Sequence, residues 1–179
     1  AAAAAYGASG ERGAFSVQLG GEEYAGFSAS LPGAFGYDPD DDGYSHRNLG
    51  LRGRVELGSQ RLGFSALATR QDVEFDQGET AVDQHALAAT LEGPLAQGWM
   101  HRLTLGGALD DLDTPVYFQR FLTRRQNLDW VHDVAVGAAQ HLVFGANLQR
   151  ERGSNVDTFA GEDFYSGSLS HQAAFVGWQ

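Results

Sequence analysis

The residues of this chain with the clearest chemical use are aspartates. Asp38, Asp40 and Asp42 alternate with other residues just before Gly43, and Asp76 and Asp83 follow further along. Clustered carboxylates repel one another unless a cation neutralises them. Calcium suits them, because it takes roughly six to eight hard oxygens and tolerates flexible geometry. The spacing Asp38-x-Asp40-x-Asp42-Gly43 also opens like an EF-hand loop, but the position that should carry the closing glutamate is Leu49. That motif is therefore rejected, and a cation site of another kind is expected at Asp38, Asp40, Asp42, Asp76 and Asp83, with Asp41 as a spare. The competing reading is a solvated acidic loop. His46, His85, His101, His132, His141 and His171 are scattered, with no zinc-protease spacing and no nucleotide-binding glycine loop nearby. No catalytic constellation stands out, and the chain is read as not an enzyme.

The elements that must position these groups are strands. From Asn48 to Leu57 the residues Leu49, Leu51, Gly53, Val55 and Leu57 fall on one face, and Asn48, Gly50, Arg52, Arg54 and Glu56 on the other. A period of two means a β-strand. The same alternation recurs in Phe15, Val17, Leu19; in Ala25, Phe27, Ala29, Leu31; in Leu62, Phe64, Ala66; in Leu87, Ala89, Leu91; and in Leu142, Phe144, Ala146, Leu148. It predicts about ten strands, at 2–8, 13–19, 24–31, 47–57, 61–70, 84–92, 99–109, 125–136, 140–150 and 168–178.

The expected connections alternate in length. Gly20–Glu23, Gly58–Gln60, Gly93–Gly98 and Gly137–Ala139 read as tight hairpin turns. The polar segments 32–46, 71–83, 110–124 and 151–167 read as long loops. In an up-and-down meander all long loops project from one end and all short turns from the other. The aspartates above then share one end. Tyr37, Tyr44, Tyr117, Phe118, Phe121, Phe159, Phe164 and Tyr165 also gather there, with Trp99, Tyr24 and Trp178 expected at the other, as two interfacial aromatic belts would require.

Composition narrows the class. The chain has 179 residues, a net charge of −11 and no cysteine. That charge argues against nucleic acid as a partner, and the missing cysteine excludes disulfides and thiolate metal sites. No apolar run is long enough for a transmembrane helix. An apolar face opposite an arginine-bearing one, short turns and long loops fit instead an antiparallel up-and-down transmembrane β-barrel, all-β and a single domain over 1–179.

Several motifs follow one another in the order and spacing of a known family. They are Tyr6-Gly7; Gly36-Tyr37-Asp38; Asp40-Asp41-Asp42-Gly43-Tyr44; Arg70-x-Asp72; Glu74-Phe75-Asp76; His101-Arg102-Leu103-Thr104-Leu105-Gly106; His141 to Arg150; and Ala174 to Gln179. In these the chain resembles the barrel of TonB-dependent outer-membrane receptors, most closely the vitamin B12 (cobalamin) transporter type. The resemblance implies a bacterial outer-membrane location. It also implies capture of a corrinoid, or of a siderophore-like metal chelate, by extracellular loops ordered by calcium at the five aspartates. Energy is implied to come from TonB through a plug domain. On this reading the chain supplies about ten of 22 strands, with the plug and the remaining strands outside it. Arg120, Arg124 and Arg125 suit the phosphates of lipopolysaccharide or an anionic substrate, and are otherwise a solvated strand end. The alternatives are a self-contained ten-strand barrel acting as a passive pore, adhesin or structural protein, and a soluble β-barrel for apolar ligands.

Overall fold

A computed structural model describes residues 1–28 and 30–179. It contains nine strands: β1 Ala2–Gly10, β2 Gly13–Phe27, β3 Asp42–Leu57, β4 Gln60–Phe75, β5 Gly78–Ala96, β6 Trp99–Thr114, β7 Gln119–Ala135, β8 His141–Asp157 and β9 Glu162–Trp178. A short 3-10 turn, Pro115–Tyr117, precedes β7. The strands form one antiparallel sheet in chain order. The all-β, up-and-down reading is therefore correct at this level. Ala29, expected on an apolar strand face, lies outside the described residues.

The strand count is corrected from ten to nine, because Gly20–Glu23 is not a turn. The expected strands 13–19 and 24–31 form one strand, and β2 pairs continuously with β3 from Gly13↔Val55 to Tyr24↔Tyr44. Gly20 is instead a close-approach residue: a Cβ there would stand 2.8 Å from Asn48 Nδ2. True turns fall at residues 11–12, 58–59, 97–98 and 136–140 at one end.

The expected long loops 71–83, 110–124 and 151–167 are also corrected. The strands run on through them to tight connections at residues 76–77, 115–118 and 158–161. Backbone ladder bonds do not depend on apolar side chains, so a polar extension beyond the apolar zone stays extended. Among the described residues one long connection remains, between Phe27 and Asp42. Tyr24 lies at that long-connection end of β2, not at the opposite end as expected. β2 to β9 run from 15 to 19 residues, longer than the roughly 9–11 that cross hydrocarbon.

Directly opposed residues share a face, so the register assigns every side chain. One face carries Tyr6, Val17, Leu51, Ala66 and Leu87 in one row. A neighbouring row carries Phe15, Phe64, Ala89, Leu105, Leu128 and Leu148. The other face carries most of the charged and amide side chains, with Leu67, Val131, Val143, Leu169 and Phe175 among them. There Glu56, Arg61, Glu92 and Arg102 alternate in charge across four strands, with Arg61 Nε 2.8 Å from Glu56 and Arg102 Nε 2.9 Å from Glu92. Thr90 and Thr104 share a hydrogen bond of 3.1 Å, and Asn127 donates to Asp129 at 2.9 Å.

The apolar zone crosses the strands obliquely. Its upper edge starts at Leu19 on β2, whose ladder row ends at Ser168 on β9, yet the edge on β9 is Ala174. Its lower edge starts at Phe15, whose row ends at Gln172, yet on β9 the edge is Trp178. Between β2 and β9 both edges move by about six residues toward the short turns, but unevenly: the upper edge keeps the Leu19 row through Leu49, Ala68 and Leu109 and drops on β7–β9. Averaged over seven strand steps, at about 3.3 Å per residue and 4.8 Å per strand, the slope is about 30°.

Nothing covers this face. Among the described residues no hydrophobic side chain is buried; Leu87 is 65% exposed and Trp178 58%. The accessible surface is 12243 Å², against about 8,400 Å² for a compact monomer of this mass. A soluble sheet would need a second layer over such a face. β1 and β9 do not pair, and the sheet is open. Strands of the same parity run the same way, so closing β1 onto β9 would make a parallel pair. The expectation that ten strands could close alone by even parity is thus corrected: with nine, antiparallel closure needs an odd number of further strands.

Candidate functional site

The long-connection end is knitted together by side chains. Gly43 N donates to Glu74 Oε2 at 3.0 Å, joining the start of β3 to the end of β4. Tyr117 donates to Gln77 Oε1 at 2.6 Å, and its ring stacks on Phe75 at 6.1 Å. Gln77 also packs against Gly36 in the 28–41 connection. Three connections therefore meet at Gln77, and the expected aromatic residues Tyr37, Tyr44, Tyr117, Phe118, Phe121, Phe159, Phe164 and Tyr165 lie at this end.

Four of the five expected metal ligands lie close together there. The Asp40 carboxyl is raised above the ordinary aspartate range, first by desolvation and then by the charge of Asp38, with Asp42 and Asp76 adding to it. Asp76 Oδ1 is shielded from solvent with no hydrogen-bond partner. Ser28 holds the Asp38 carbonyl at 3.0 Å. This donor set fits the chemistry of a hard cation. Among the described residues, however, no three carboxylates or histidines stand in ligand-shell positions. Asp83 is placed elsewhere: it sits on the apolar face of β5, 3.5 Å from Arg70.

Above the apolar zone, on the same face, β3–β7 carry a collar of paired charges. Arg70 meets Asp72 at 3.1 Å and Asp83 at 3.5 Å. Arg120 Nε donates to Asp111 Oδ1 at 2.7 Å. These bonds hold the Asp72 and Asp111 carboxyls below the ordinary aspartate value. Asp113 lies in the adjacent row, with Oδ1 shielded and unpartnered.

Further along, the pairing stops. Arg124 of β7 stands directly opposite Arg152 of β8, and Arg150 lies two residues away on the same face. All three are exposed. None has an ion pair among the described residues. Of the three arginines singled out in the sequence, Arg120 is paired with Asp111 and Arg125 is on the polar face, paired with Glu151 at 2.8 Å. Arg150 and Arg152 were missed. Their position could have been found by carrying strand parity through the β7–β8 turn.

At the short-turn end the apolar face holds a ring cluster. His101 and His132 are buried. Trp99 Nε1 donates to His132 Nδ1 at 3.1 Å, and Trp130 Nε1 points at His101 Nδ1 at 3.4 Å. His101 Nε2 meets Gln60 Oε1 at 3.0 Å, while Gln60 Nε2 donates to the Pro94 carbonyl. Gly93 lies between, and a Cβ there would strike Gln60. These bonds suit neutral rings whose Nδ1 accepts, an assignment made from the network. Each indole is thereby tied to the sheet at the lower edge of the apolar zone. No family model and no curated protein matches the chain.

Proposed function

We propose that this chain forms part of the wall of a transmembrane β-barrel in a bacterial outer membrane, of the TonB-dependent receptor type. The observation that carries the reading is the oblique apolar belt. Barrel strands tilt by about 35–45° from the barrel axis, so a horizontal lipid layer meets them obliquely. A sheet that packs on a protein layer has no reason to carry its apolar residues toward one end between β2 and β9. The belt spans Leu49–Leu57 on β3 and Trp99–Leu109 on β6, close to the roughly 9–11 residues needed to cross. The polar face, with its charge ladder, would line the lumen.

The long-connection end is the outward, substrate-gathering end in this account. The substrate is a corrinoid or a similar metal chelate, and its delivery draws on TonB through a plug domain. Calcium at Asp38, Asp40, Asp42 and Asp76 would order the 28–41 connection, which the mutual repulsion of these carboxylates supports. Asp83 is left out because Arg70 engages it. The test is titration of cyanocobalamin into the refolded chain in neutral detergent, with calcium and with chelator. Calcium-dependent binding lost in Asp40→Asn is expected. Insertion without any corrinoid binding would leave a barrel wall and remove the receptor assignment.

A further inference from the structure

We infer that the β7–β9 side of the sheet grips a phosphate-bearing lipid headgroup through Arg124, Arg150 and Arg152, with an acyl chain lying along Leu128 and Leu148. This rests on the lipid-facing reading above and names what sits at one place on that face.

An opposed arginine pair also occurs on β3 and β4, where Arg47 faces Arg70, but Asp72 and Asp83 lie beside that pair; on β7 and β8 no free carboxylate does among the described residues. Arg124 and Arg152 are directly opposed, and like charges so placed destabilise a sheet. The remaining cross-strand neighbours offer no counter-charge. Arg124 is flanked on β6 by Leu109, and Arg150 and Arg152 are flanked on β9 by Ser170 and Ser168. The nearby carboxylates are engaged: Asp111 holds Arg120, and Glu151 holds Arg125 on the opposite face. A chain of net charge −11 thus keeps three cations together with no ion-pair partner among the described residues.

Beside them lies a groove of about 290 Å³, lined by Gln126, Leu128, Leu148, Arg150, Ser170 and Gln172. Gln126, Arg150 and Ser170 form its upper row, and Leu128 and Leu148, in the row below with Gln172, are the top of the apolar belt on β7 and β8. An amphiphile with a phosphate above and a hydrocarbon chain below matches that order. A soluble anion would use the arginines and leave the leucines bare. Arginine is suited to the task because its planar fork meets two phosphate oxygens at once. The site faces the long-connection end, which places the headgroup in the outer leaflet.

The experiment follows retention of lipid A by the folded chain in dodecyl maltoside micelles, read by native mass spectrometry. Wild type is expected to retain lipid A, with affinity falling about fivefold for each arginine changed to glutamine in Arg124→Gln, Arg150→Gln and Arg152→Gln, and falling with added salt. Arg54→Gln, which removes the same charge from the polar face, should leave retention unchanged. Inorganic phosphate should not displace the lipid. Equal retention by the triple variant would overturn the proposal, and so would displacement by inorganic phosphate, which would mark a free-anion site. Insertion into phosphatidylcholine liposomes is measured alongside. Insertion without lipid A preference sinks the headgroup site alone; no insertion sinks the membrane reading and this site together.

Discussion

Two regions at the top of the same apolar belt solve the same problem differently. Over β4–β7 the collar arginines have carboxylate partners: Arg70 has Asp72 and Asp83, and Arg120 has Asp111. Over β7 and β8 three arginines have none. Charges satisfied within the sheet report on its own stability. Charges left unsatisfied, at a boundary between apolar and polar surface, report on what lies outside it. Net charge alone conceals this, because the total of −11 contains both an acidic connection and a cationic triangle.

The floor that both regions share is the easiest part to break. Leu87→Arg puts a charge in the middle of the belt and should cost about 2–4 kcal/mol of stability in lipid, whereas Ser168→Arg, at the arginine level, should cost about 0–1 kcal/mol. Urea unfolding of liposome-inserted protein measures both. Equal costs would mean that the belt does not face hydrocarbon.

The next test converts one region into the other. Asp72→Asn with Asp83→Asn frees Arg70 from its partners. Anionic-lipid affinity should then appear on the β4 side, at about 1 kcal/mol for the arginine released. Vesicle co-sedimentation would detect it, and no gain would show that unpaired arginine is insufficient.

A smaller effect is expected within the collar. Asp111→Asn removes the carboxylate from Arg120, whose side chain is half exposed. The loss should be about 0.5–1 kcal/mol, as for a well-formed but solvent-reached ion pair. Denaturant midpoints compare it with Arg124→Gln, which should leave stability unchanged or raise it by relieving the repulsion with Arg152.

Acid separates the regions by sign. Asp72 and Asp111 lie below the ordinary 3.8 because arginine bonds favour their charged forms. Their contribution is fully present above 3.8 and is lost as pH falls through the lowered values. Asp40 lies above 3.8, so protonation favours its folded surroundings, and its repulsion with Asp38 fades as pH falls through that raised value. A carbon-detected NMR titration should show Asp40 taking its proton before Asp72 and Asp111.

Strand identity was legible wherever one face was apolar, as from Asn48 to Leu57, because burial in any apolar medium imposes a period of two. It failed where both faces are polar. Residues 71–75, 110–114 and 151–157 read as loops because backbone pairing, which holds them extended, leaves no hydrophobic trace. Gly20-Gly21 read as a turn because composition does not distinguish a glycine that reverses the chain from one that makes room for Asn48. Asp38, Asp42 and Asp76 lie near enough to act on Asp40, as their spacing suggested, whereas Asp83 lies beside Arg70. Its row opposite Arg70 depends on register, and so does the meeting of Arg124 with Arg152.

The central claim is an apolar belt that faces lipid and runs obliquely across the strands. The chain has no native cysteine, so single cysteines carrying a spin label can be placed at Leu49, Leu87, Ala88 and Arg124 in turn. Leu49 and Arg124 share a ladder row, and Leu87 and Ala88 are neighbours on opposite faces. The account predicts high oxygen accessibility at Leu49→Cys and Leu87→Cys, with high accessibility to an aqueous nickel chelate at Ala88→Cys and Arg124→Cys. Matching values at Leu49 and Arg124, or at Leu87 and Ala88, would contradict it.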